Sequence, residues 1–117
     1  MASAGRYRVF ILAGEASGDA LAARLMVGLK EKAPDTEFYG VGGPLMAEQG
    51  LETLFPMEEL SVMGLFEVLP RLPQLLKRIK QTATAAREFS PDVFITVDAP
   101  DFSFRVARQL AGSHFPK

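Results

Sequence analysis

Two apolar runs that break off into acidic turns constrain this chain most. Val9-Phe10-Ile11-Leu12 passes into Ala13-Gly14-Glu15-Ala16-Ser17-Gly18-Asp19, and Val93-Phe94-Ile95-Thr96 passes into Val97-Asp98-Ala99-Pro100-Asp101-Phe102. Short apolar runs of this kind, alternating with helical periodicity, are the signature of a parallel sheet flanked by helices. Open α/β sheets place their chemistry in the crevice beyond the carboxyl ends of their strands, and both acidic turns would face it.

The spacing predicts strands over residues 8–12, 37–41, 51–54 and 93–97. Between the first two, Leu21, Leu25 and Leu29 recur at i+4 beside Met26, which predicts one buried stripe on a helix over 18–32. Pro34 and Asp35 stop it. Gly40, Gly42, Gly43 and Pro44 form a turn after the second strand, and Pro44 suits the first position of a short helix ending near Gly50. A longer helix over 72–89 carries Leu72, Leu75, Leu76 and Ile79 on one face, and Ser90-Pro91-Asp92 closes it. A last helix is expected over 100–110. The fold expected is α/β, a doubly wound parallel sheet in which the first or the fourth strand forms an apolar edge, and such edges invite intermolecular pairing. Residues 112–117 read as a turn leading toward a further strand, so the chain is expected to be a fragment.

Composition removes several classes of function. With 117 residues, 48% of them apolar and 23% charged, the chain suits one soluble globular domain. A net charge of -1 provides no overall attraction to nucleic acid, whose binders carry a basic face. Cysteine is absent, which rules out disulfides and thiolate metal sites, and the single histidine, His114, leaves little for imidazole chemistry. No run approaches the roughly 20 apolar residues that span a bilayer, and the first five residues do not resemble an export signal. The expected compartment is the cytoplasm.

The first loop fails as a phosphate cradle. A dinucleotide fingerprint starting at Gly14 would need glycine where Ala16 and Asp19 stand, and no Gly-Lys-Ser/Thr follows. Glu15 and Asp19 would also repel phosphate. Ser17 as a helix cap and Asp19 as a complement to the helix's positive end are the plain readings, and Glu15, outside the helix, is the better candidate for touching a ligand. Asp98 ends its strand ahead of the next helix, where a carboxylate can take a proton from a bound hydroxyl as a general base. Asp101 is accounted for by the dipole of the helix that Pro100 opens. The apolar stretch 60–73 carries two prolines, and Arg71, Lys77, Arg78, Lys80 and Arg87 accompany or follow it with no acidic residue from 71 to 87. That combination suits acyl chains or an anionic membrane surface, or else a core helix with a solvated basic face.

Several blocks together resemble the amino-terminal part of the lipid-A-disaccharide synthase family. They are Ala13-Gly14-Glu15-Ala16-Ser17-Gly18-Asp19, Gly40-Val41-Gly42-Gly43-Pro44, Met57-Glu58-Glu59-Leu60-Ser61-Val62-Met63-Gly64 with Glu67-Val68-Leu69, Pro91-Asp92-Val93, and Asp98-Ala99-Pro100-Asp101-Phe102, in order from about Tyr7 to Phe104. The resemblance implies an inverting bacterial glycosyltransferase of the GT-B type with two Rossmann-like domains. This chain would be a partial amino-terminal domain, without the carboxyl-terminal domain that carries most nucleotide contacts, and inactive alone. The family joins UDP-2,3-diacylglucosamine to 2,3-diacylglucosamine 1-phosphate and releases UDP, with no metal or other cofactor, at the cytoplasmic face of the inner membrane. Carried over by position, the base falls on Asp98 and the acidic glycine loop on Gly14, Glu15, Ser17, Gly18 and Asp19. Met63, Phe66, Leu69 and Arg71 are assigned to the acylated, phosphorylated substrate. The alternative is a flavodoxin-like binding or signalling module whose acidic crevice holds magnesium or a flavin. A dinucleotide-dependent oxidoreductase is weakened by the broken glycine pattern.

Overall fold

A computed structural model describes residues 7–60, 72–98 and 100–112, with backbone only at Leu72, Pro100 and Asp101. Along the chain run β1 (Arg8–Leu12), α1 (Ala16–Lys32), β2 (Glu37–Val41), α2 (Pro44–Glu48), β3 (Glu52–Thr53), α3 (Leu72–Phe89), β4 (Val93–Thr96) and α4 (Pro100–Gln109). The third strand is shorter than its apolar residues suggest. Leu51 and Leu54 flank a two-residue pairing; Leu51 belongs to the buried core and Leu54 packs against it.

All pairings are parallel, in the order β3-β2-β1-β4. Strand β1 is therefore central, which corrects the option of β1 as an edge; β4 and β3 are the outer strands. Reversal of strand order at β1 creates the crevice, because the connections on its two sides run in opposite directions across the sheet. The ladder continues past the strand ends, with Ala13 N donating to Val41 O and Val97 N to Leu12 O, both at 2.9 Å. Both loops that follow β1 and β4 thus leave the sheet together.

The residues of β1 from Val9 to Leu12 are buried, as a strand covered on both faces requires. Phe10 stacks on Phe94 at 5.6 Å between ring centroids and meets Tyr39 edge-on at 5.9 Å. Phe89, from the end of α3, closes the cluster. Beside Phe10 in the chain, the Ile11 backbone lies so close to β2 that a Cβ on Gly40 would overlap the Ile11 carbonyl oxygen; Gly40 also has φ of 142°, a backbone state glycine tolerates.

Helix α1 buries only part of the expected stripe, with Met26 inward and Leu29 half-buried against the core. Leu21 is 60% exposed and Leu25 41%, while Gly18, Asp19, Ala22, Ala23 and Met26 face inward. Small side chains on that face let α1 lie close to its neighbours, and a row of leucines there would hold it away. Helix α3 matches its expected span and buries Leu75 and Ile79, but Leu76 on the same predicted face is half exposed. Among the described residues, no helix is long and apolar enough to cross a membrane.

Candidate active site at the carboxyl edge of the sheet

Asp98 lies just beyond β4, half-buried, and its carboxylate rests on the start of α1. Gly14 N donates to Oδ1 and Glu15 N to Oδ2, the latter at 3.1 Å. Unpaired N–H groups at a helix start carry partial positive charge, so a carboxylate there is favoured. Strand-to-strand pairing of β1 with β4 brings the two loops into this contact. From the other side, Ser103 Oγ of α4 donates to the Asp98 carbonyl at 3.0 Å, so the residue is fixed at both its side chain and its backbone.

Glu15 occupies the N-cap position of α1 without a side-chain cap bond, and its side chain is exposed. The expected Ser17 cap does not form, because α1 begins at Ala16 and already contains Ser17, whose side chain is exposed. Asp98, from the loop after β4, accepts instead from the N–H groups of Gly14 and Glu15, just ahead of the first turn. Gly18 is buried directly beneath that carboxylate.

Asp19 has a different task from the one its position suggests. It is 2% exposed and reaches the next loop, where it accepts from Gly43 N at 3.0 Å, Leu45 N at 3.0 Å and Met46 N at 2.9 Å. Although it lies in the first turn of α1, the N–H groups it satisfies open α2. That loop is further tied by Thr53 Oγ1, which accepts from Gly42 N at 3.1 Å and donates to Phe55 O at 2.8 Å. The sequence reading missed these partners; the Gly42-Gly43 pair ahead of Pro44 was the available signal for a tight approach.

The basic stretch divides into two parts. Arg78 is not a free cation on a solvated face: it makes a two-pronged contact with Glu59, Nε to Oε1 and Nη2 to Oε2, both at 2.9 Å, and lies 4.6 Å from the Phe55 ring centroid. Gln74 Nε2 donates to the same Glu59 at 2.9 Å. Arg87 donates to the Gln109 carbonyl at 2.6 Å, which ties α3 to α4. Lys77 and Lys80 are exposed and border a shallow depression with Gln81, Thr84, Ala85 and Glu88. Met63, Phe66, Leu69, Arg71 and His114 lie outside the described residues, as does the Asp101 side chain.

A site built on these lines offers a fixed, half-buried carboxylate beside a glycine-bearing loop. The Gly14 and Glu15 N–H groups of that loop are already taken by Asp98. A family model described as lipid-A-disaccharide synthetase matches residues 9–116. The chain is 56% identical over 111 residues to the lipid-A-disaccharide synthase of Rhodospirillum centenum, covering 92% of this chain and 28% of that protein. To the same-named protein of Ruegeria pomeroyi it is 59% identical over 106 residues, with 90% and 26% covered. To that of Myxococcus xanthus it is 50% identical over 109 residues, with 93% and 28% covered. The chain thus spans about a quarter of the length of the curated relatives it matches. Matched along nearly its whole length and at more than half identity to several relatives, this chain belongs to the lipid-A-disaccharide synthetase family.

Proposed function

We propose that the full-length protein is an inverting glycosyltransferase of lipid A biosynthesis, with this chain as part of its amino-terminal Rossmann-like domain and Asp98 as general base. Asp98 takes the proton of the acceptor hydroxyl on 2,3-diacylglucosamine 1-phosphate. The oxygen's electron pair forms the new bond to the donor's anomeric carbon. The bond from that carbon to the β-phosphate oxygen breaks, and UDP leaves. One base is enough for such a displacement.

The observation that carries this reading is the half-buried Asp98 carboxylate, held at the sheet's carboxyl edge by the N–H groups of Gly14 and Glu15. Each carboxylate oxygen has two lone pairs, so a hydroxyl can still be accepted beside the amide. Holding the base in place removes part of the ordering cost of reaction. Glu15, with its exposed side chain next to that carboxylate, is the first candidate to contact the acceptor sugar. Met63, Phe66, Leu69 and Arg71 would receive the acyl chains and the phosphate. The exposed Lys77 and Lys80 would favour the anionic inner-membrane surface. A carboxyl-terminal domain would supply most nucleotide contacts.

The test is Asp98→Ala in the full-length protein, assayed with both lipid substrates in detergent micelles. Loss of a general base lowers kcat by about 10²–10⁴-fold, while circular dichroism should show the protein still folded. Retained turnover would move the role elsewhere, with Glu15 the first to examine. The 117-residue chain alone is expected to show no turnover; clear turnover would overturn the two-domain reading.

A further inference from the structure

We infer that Gly18 is a positioning residue for Asp98, providing the notch into which the carboxylate fits, and is not itself a contact for substrate; this rests on the reading of Asp98 as the base. The observation is steric. A Cβ placed on Gly18 would overlap Oδ2 and Cγ of Asp98 and come within 3.0 Å of Oδ1. The three nearest heavy atoms all belong to that one carboxylate. Helical backbone does not call for glycine at this point, and glycine there weakens a helix through its extra chain freedom. Its place in α1 is therefore explained by what lies above it.

Gly28, further along the same helix, is a natural control. A Cβ there meets nothing within 4 Å. Two glycines on one helix thus make opposite predictions for the same substitution, and the difference isolates Asp98 from any general effect on helix stability.

A methyl group at position 18 would lift the carboxylate off the Gly14 and Glu15 amides and away from the acceptor hydroxyl. Misplacing a reacting group by about 1 Å can cost on the order of 100-fold in rate. In the full-length protein, Gly18→Ala should lower kcat by about that factor, leave KM for the nucleotide donor largely unchanged, and lower Tm by a few degrees. Gly28→Ala should leave kcat as it is and hold or raise Tm. In an Asp98→Ala background the overlap is gone, so adding Gly18→Ala should cost neither further rate nor further Tm. A third readout does not depend on catalysis. With ¹⁵N-glycine labelling, the Gly14 amide signal should move in Gly18→Ala toward its position in Asp98→Ala.

If Gly18→Ala keeps wild-type kcat, Tm and Gly14 signal while Asp98→Ala is inactive, the notch is refuted and the base stands. A Gly18→Ala defect that persists undiminished in the Asp98→Ala background also overturns the inference. Should Asp98→Ala retain turnover, the base reading fails. The Tm cycle and the Gly14 signal then decide the notch on their own, a penalty erased by Asp98→Ala upholding it and one that remains refuting it.

Discussion

Asp19 and Asp98 each bring a carboxylate to backbone N–H groups at a helix start, yet their surroundings differ. Asp19 takes three N–H groups of the loop from Gly43 to Met46 and is sealed from solvent. Asp98 takes two, from Gly14 and Glu15, and stays half-buried at the crevice. Both rest against a glycine, Gly43 in one case and Gly18 in the other. The comparison shows that an acid near the tips of a sheet is not a reactive group by virtue of place. On the proposed reading, the number of donors that claim its oxygens, and whether a substrate can still reach them, separates Asp19 as a fastener from Asp98 as the base.

Substitutions at these positions put that contrast to the test. The largest effect is expected from Asp98→Asn in the full-length protein, with kcat reduced by about 10²–10⁴-fold and a stability loss of about 1 kcal/mol, because the amide oxygen still accepts from Gly14 while its NH2 cannot accept from Glu15. Next comes Asp19→Ala, which leaves three N–H groups without their acceptor and should cost about 3 kcal/mol in urea unfolding. Turnover per folded molecule should survive it. A large loss of turnover with intact folding would erase the distinction drawn here. Gly43→Ala places a Cβ 2.7 Å from Asp19 Oδ2 and should cost about 1–3 kcal/mol by overpacking. The smallest effect is Thr53→Val, which removes the acceptor for Gly42 N and should cost about 1 kcal/mol.

Local pattern made much of the architecture legible. The spans of β1, β2 and α3 match the residues expected from periodicity, and proline and glycine marked the turns. The buried face of α1 was not legible, since periodicity favours leucine while the buried side carries Gly18, Ala22 and Ala23 beside Met26. Packing distance, which small residues set, leaves little trace in a hydrophobic pattern. Position at a strand end marked Asp98 as a candidate, but its donors lie 84 and 83 residues away. The Asp19 contacts span 24 to 27 residues, and the Arg78 pairing with Glu59 spans 19. Such contacts follow from topology, so charge and spacing alone assigned Arg78 to an open basic face. The family, in contrast, was legible because several short blocks occur in one order.

Gly18 and Asp19 are consecutive residues of one helix, one receiving the Asp98 carboxylate and the other gripping the turn before α2. A helix advances about 1.5 Å per residue, so even a fraction of that slide would loosen both attachments together. The first turn of α1 therefore works as a yoke. A pull on either loop would load this one turn of helix, and with it the grip on the other loop.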